Sequence, residues 1–210
     1  MNALFERHPR LAGQRENIEK TLAALIGCFE GGGKLLLCGN GGSCADCEHI
    51  VGELMKGFLE CRPLSPDKRA EMQAASPDLE EVWLDRLQAA LPAISLPSFA
   101  ALNSAFCNDV DPELVYAQPL MGLGRRGDLL LCISTSGNSA NVCAAAAVAR
   151  GLGVTVIGLT GEDGGRLRSL SDLCICVPER ETYKVQELHL PVYHYLCAAV
   201  EQRFFGTEEA

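Results

Sequence analysis

"KLLLCGNGGSCADCEHIVGE", Lys34 to Glu53, is the stretch that decides how this chain folds. Its first residues, "KLLLC", are apolar at successive positions and stop at glycine. That is the pattern of a strand buried on both faces that empties into a loop. Asn40 to Ser43 then forms a tight turn in which glycines bare backbone to a ligand. From Ser43 to Phe58 the spacing predicts a helix. Strand, glycine turn and helix in that order make one unit of a parallel α/β sheet.

The same short apolar runs recur at "AISL" (Ala93 to Leu96), "DLLLCIS" (Asp128 to Ser134), "VTVIGL" (Val154 to Leu159) and "DLCICV" (Asp172 to Val177). Between them lie predicted helices over Phe99 to Phe106, Pro112 to Met121, Ser139 to Arg150, Gly165 to Leu170 and Tyr183 to Phe205. An N-terminal helix is expected within residues 9–30, with Ile18, Leu22, Leu25, Ile26 and Phe29 at helical spacing and Gly31 to Gly33 ending it. The alternation predicts an α/β fold, a three-layer α/β/α sandwich around a five-stranded parallel sheet, whose ligands sit at the carboxyl ends of the strands. One domain over residues 1–210 is expected. Residues 59–91 interrupt the rhythm, polar and proline-containing at first, then with Leu79, Val82, Trp83 and Leu87 on one side. They read as an inserted flap or interface element.

Lys and Arg number 18 against 27 Asp and Glu, for a net charge of -9. No basic run exists, so a nucleic-acid partner is not expected. Neither a secretory leader nor a membrane span is recognisable, and the chain reads as cytoplasmic. The eleven cysteines sit mostly in apolar runs, as small hydrophobes do, and reduced thiols are expected. Cys44 and Cys47 form a C-x-x-C, but no second pair exists to complete a thiolate zinc site.

An acidic protein that binds an anion must hold it with amides and hydroxyls. "ISTSGNSANV" (Ile133 to Val142) offers Ser134, Thr135, Ser136, Asn138 and Ser139 directly after a strand and before a helix. A helix start leaves about four N–H groups free and carries roughly half a positive charge, so a phosphate is stabilised there without lysine. A single serine there would be read as a helix cap; four hydroxyls around one glycine point to anion binding. His49 and Glu53, four apart on one helix face, form a candidate metal or acid–base pair. His189 is expected to pack or cap, and His8 to lie in a mobile terminus.

"CGNGGS" with "HIVGE", "NDV" (Asn108 to Val110), "GDLLLCISTSGNSANV", "IGLTGEDGG" and "VQELHLPVYH", in that order, resemble the sugar isomerase (SIS) domain proteins and, within them, the phosphoheptose isomerase family. The resemblance implies a homotetramer with active sites at subunit interfaces and a phosphorylated sugar as substrate. It assigns substrate binding to Asn40, Gly41, Gly42, Ser43, Asn108, Asp109, Ser134, Thr135, Ser136, Ser139 and Gln186, and proton transfer to Glu53 and His194. In some relatives zinc is held by residues matching His49, Glu53, Gln186 and His194. Gln186 and His194 are eight apart, about 12 Å along a straight helix, so Pro191 kinks that helix or the ligands come from different subunits. The reaction implied is aldose–ketose isomerisation through an enediolate. Two alternatives stay open: another phosphosugar isomerised or sensed by the same loops, and a non-catalytic tetramer that binds a replication initiator.

Overall fold

The computed structural model describes residues 2–206; Met1 and residues 207–210 of the expected domain lie outside them. The chain runs α1 (Asn2–Arg7), a 3-10 turn over Pro9–Gln14, α2 (Arg15–Glu30), β1 (Leu35–Gly39), α3 (Gly42–Met55), α4 (Pro66–Ala75), α5 (Glu81–Arg86) and β2 (Ala93–Ser95). After a 3-10 turn at Leu96–Ser98 come α6 (Ala100–Asp109), a further 3-10 turn at Pro112–Leu114 and α7 (Ala117–Leu123). It closes with β3 (Leu129–Ser134), α8 (Ala140–Leu152), β4 (Thr155–Thr160), α9 (Gly165–Leu170), β5 (Leu173–Cys176) and α10 (Thr182–Phe205).

The five strands form one parallel sheet in the order β2-β1-β3-β4-β5. Every residue of β1 and β3 is buried, as unbroken apolar runs require in a sheet covered on both faces. Alternate residues feed two separate cores. Leu35, Leu37, Leu129, Leu131 and Ile157 pack with α2, α3 and α10. Leu36, Leu130, Cys132 and Val156 pack with α7, α8 and α9.

This strand order has a functional consequence. From β1 the chain leaves through α3 on one face towards β2, and from β3 it leaves through α8 on the opposite face towards β4. The carboxyl ends of β1 and β3 therefore flank the point where the winding reverses, which is where open α/β sheets bind ligands. The glycine turn after β1 and the hydroxyl loop after β3 are the two lips of that crevice.

Two expectations are corrected. His8 does not lie in a mobile terminus: it follows α1, whose Leu4 and Phe5 are buried in the core, and its backbone N–H donates to Leu4 O. Leu79, Val82, Trp83 and Leu87, expected on one side, do not share one helix: α5 spans Glu81–Arg86 and holds only Val82 and Trp83 of them. Residue pairing between Pro63 and Gln88 closes the base of the excursion, Leu84 is the buried residue of α5, and Val82, Trp83 and Leu87 are exposed.

Arg62, at the root of that excursion, is 1% exposed. Its guanidinium donates to Leu54 O (2.7 Å) and Glu53 O (2.9 Å) at the end of α3 and to Glu201 of α10 (2.7 Å). Glu201 also accepts from the Phe58 and Leu59 N–H groups. Burial raises the Glu201 pKa, but those donors outweigh it and the net direction is down. The orphan carbonyls that close a helix are thus fixed to α10 at the residue that carries Glu53.

Candidate active site

β1 leaves the sheet through a turn that needs glycine. Gly41 has φ of 55°, and a β-carbon on Gly42 would fall 2.2 Å from Gln186 Nε2. Asn40 is fixed from across the crevice: its amide exchanges hydrogen bonds with Asn141 of α8 (2.9 and 3.0 Å), and Tyr116 Oη lies 2.8 Å from Asn40 Oδ1. The two lips are therefore tied together by side chains rather than by strand pairing alone.

In the second lip the simple capping role for serine fails. Ser139 is the N-cap of α8, yet its side chain makes no cap hydrogen bond; its hydroxyl meets Ser134 Oγ at 3.1 Å instead. Asn141 Oδ1 accepts from Val142 N at 2.9 Å, so it is the Ala140 and Asn141 N–H groups that the missing cap leaves open at the start of α8. Ser136 Oγ accepts from Asn138 N (3.2 Å) and Asn138 Oδ1 accepts from Arg166 N (3.0 Å), so these two shape the loop. Gly137, at φ of 64°, lets it approach α9: a β-carbon there would fall 2.0 Å from Gly164 O. Thr135 contributes its backbone oxygen to Gly161 N.

α3 and α10 pack side by side, and their seam carries the ionisable groups. His49 Nδ1 lies 3.1 Å from Tyr193 Oη, and Tyr193 Oη donates to Asp46 Oδ1 at 3.1 Å. His49 Nε2 lies 3.1 Å from Glu53 Oε1, and the His49 and His194 rings stand 5.0 Å apart, edge to face. With the Tyr193 proton directed at Asp46, the Tyr193 oxygen has only lone pairs left, so His49 Nδ1 is the donor in their contact. Glu53 Oε2 and His194 Nε2 are buried with no hydrogen-bond partner, an arrangement that costs about 1–3 kcal/mol per group. Burial, and then the neighbouring His49, lower the His194 pKa against the opposing pull of Glu53, so its imidazole is neutral near pH 7.

Imidazole and carboxylate are donors that suit zinc, and two of the atoms concerned lack partners. Among the described residues, however, no three His, Cys, Asp or Glu side chains are gathered closely enough to hold an ion. Gln186 stands against Gly42, about two helical turns from His194. One chain does not assemble the four-ligand set.

Of the other expected residues, Asn108 and Asp109 end α6 on the surface, hydrogen-bonded to each other at 2.8 Å. Ser43 is buried beneath the glycine turn. Cys44 and Cys47 are free thiols whose pKa values burial pushes up, Cys47 well above the ordinary range, so neither is a ready thiolate. Asp46, Tyr116, Asn141 and Tyr193 join the hydrogen-bond network without having been expected from the sequence. Asp46, His49 and Glu53 follow the helical spacing that singled out the last two; Tyr116 carries no comparable signal.

The chain matches SIS domain family models over residues 104–199 and 2–89. A phosphoheptose isomerase of Roseiflexus sp. (strain RS-1) is 39% identical over 181 residues, covering 86% of this chain and 79% of that protein. One from Methylibium petroleiphilum is 37% identical over 195 residues, 91% of this chain and 84% of that protein. Among solved structures, phosphoheptose isomerase GmhA from Neisseria gonorrhoeae superimposes with a TM-score of 0.75 at 29% identity, covering 93% of this chain and 91% of its own. A phosphoheptose isomerase from Francisella tularensis gives 0.74 at 28% identity over 96% and 94%.

Proposed function

This chain is a phosphosugar isomerase and belongs to the phosphoheptose isomerase family, and from that premise we propose that it interconverts sedoheptulose 7-phosphate and D-glycero-D-manno-heptose 7-phosphate, as either anomer. The observation that carries the reading is the pair of buried, unpartnered atoms, Glu53 Oε2 and His194 Nε2, on either side of His49. Glu53 lies eleven residues, about 16 Å, along α3 from Gly42, while the serine hydroxyls and the first amides of α8 stand at the carboxyl end of β3; the proposal joins the two in one site across a subunit interface. The two halves suit the two ends of one molecule, an anionic tail and a carbonyl.

The phosphate rests on the amino end of α8 with Ser134, Thr135, Ser136 and Ser139 about it, held by dipoles instead of cations. Asn40, Gly41, Gly42, Ser43, Asn108, Asp109 and Gln186 bind along the sugar. Glu53 is the general base: its unpartnered oxygen removes the proton from the carbon beside the carbonyl and, once that proton has exchanged with solvent, returns one to the neighbouring carbon. Neutral His194 moves the second proton between the two oxygens of the enediolate. Asp46 and Tyr193 act through His49, which fixes the Glu53 carboxylate. Each proton-transfer group is worth about 10²- to 10⁴-fold.

Zinc belongs to the proposal on donor chemistry alone: His49, Glu53, His194 and Gln186 would hold it only with some of the four contributed by a second subunit, and it would polarise the carbonyl. A homotetramer with sites at subunit interfaces is proposed on two supports: Gln186 and His194 are held apart within one chain, and Leu59, Trp83, Leu87, Met121 and Leu190 are apolar and exposed. Among the described residues no helix is long and apolar enough to cross a membrane, and cytoplasmic residence is proposed with the rest.

The test is incubation of the purified protein with sedoheptulose 7-phosphate, with and without added zinc. Formation of an aldose phosphate supports the reading. Turnover of other ketose phosphates but not this one would refute the assigned sugar.

A further inference from the structure

Cys174 and Cys176 lie on β5, at the edge of the sheet and outside the crevice. Two apart on a strand, their side chains leave the same face, and their sulfurs stand 3.6 Å apart. Both are free and half-buried, unlike the wholly buried Cys38 and Cys132 of the inner strands. Missing side chains leave room for the sulfurs. A β-carbon on Gly158 would fall 3.0 Å from Cys174 Sγ, and one on Gly164 would fall 3.1 Å from Cys176 Sγ. Thr160 Oγ1 lies 3.4 Å from Cys176 Sγ and 4.0 Å from Cys174 Sγ.

We propose that Cys174 and Cys176 form a bidentate thiolate site for a thiophilic cation of the zinc group, with the Thr160 hydroxyl beside it. Two sulfurs bound to one tetrahedral zinc at about 2.3 Å each stand about 3.8 Å apart. The observed 3.6 Å is close to that bite, whereas a disulfide would require the sulfurs to close to about 2.05 Å. Thiolates select soft ions over magnesium or calcium. The two thiols hydrogen-bond each other; entry of a divalent cation displaces the protons the pair still holds to solvent and leaves a neutral dithiolate complex. This site is independent of the isomerase reading.

The test uses cadmium as the probe. Metal-free protein is titrated with Cd²⁺ and the ultraviolet thiolate-to-cadmium band is followed. The band is expected to saturate at one ion per chain, to be lost in Cys174→Ser and in Cys176→Ser, and to persist in Cys61→Ser and Cys107→Ser, which alter exposed thiols. A second readout needs no variant: Cd²⁺ should shield Cys174 and Cys176 of the unaltered protein from iodoacetamide, read by peptide mass spectrometry. A band that survives both substitutions, or alkylation of both cysteines undiminished by Cd²⁺, overturns the proposal.

Discussion

Gln186 of α10 rests against Gly42 of α3 with no room for a β-carbon between them. The contact sets Gln186 at the mouth of the crevice. Gly42→Ala must push the amide aside, and its expected effect is a rise of about tenfold in KM with a smaller loss in kcat. In a double-mutant cycle, Gly42→Ala and Gln186→Ala should be non-additive. Additive effects would mean that Gln186 does not carry the glycine's role.

The hydroxyl loop makes a separate prediction. Hydrogen bonds to a charged group contribute about 1.5–3 kcal/mol each, so Ser134→Ala and Ser139→Ala should each raise KM by about 10- to 100-fold and weaken inorganic phosphate as a competitive inhibitor in parallel. Either variant with unchanged phosphate inhibition would remove its serine from the phosphate site.

Much of this arrangement is legible in the sequence, for reasons that individual residues make plain. The strands are visible because β1 and β3 are apolar at every position, which only a sheet covered on both faces allows. Their carboxyl ends then carry Asn40 and Ser134 to the crevice. The six residues of α1 are too few for a periodic signal, so its buried Leu4 and Phe5 escape notice. Val82 and Trp83 stay exposed, since apolar spacing marks what is greasy and not what covers it. The His49–Tyr193–Asp46 chain joins residues more than 140 positions apart, a relation that spacing within one helix cannot express.

Arg62 and Glu201 should behave as a buried ion pair whose value lies in both partners being present. Each side chain is 0% exposed, and removing one partner leaves an uncompensated charge costing about 3–5 kcal/mol. Glu201→Gln should lower the melting temperature clearly and, because Arg62 also holds the Glu53 carbonyl, reduce kcat in the folded fraction. A variant as stable as the parent would show that the network is dispensable.

His189 supplies a pH dependence of stability. It is 0% exposed, neither ring nitrogen makes a well-formed hydrogen bond, and burial lowers its pKa from 6.5 to about 4 against a weaker opposing pull from the Thr160 backbone. The unfolded state binds the proton more readily, so the contribution to stability is complete above about pH 6.5 and is lost as pH falls towards 4. Urea unfolding across that window should show the loss, and His189→Leu should flatten it. An unchanged slope in the variant would place the titration elsewhere.

The central claim, that Glu53 passes a carbon-bound proton through an enediolate on a sugar phosphate, is tested most directly in deuterium oxide. With sedoheptulose 7-phosphate as substrate, nuclear magnetic resonance should find deuterium on carbon 2 of the aldose made by the unaltered protein, and both exchange and product reduced by at least about 10²-fold in Glu53→Gln. Product formed without any carbon-bound deuterium, or full exchange in Glu53→Gln, would contradict the account.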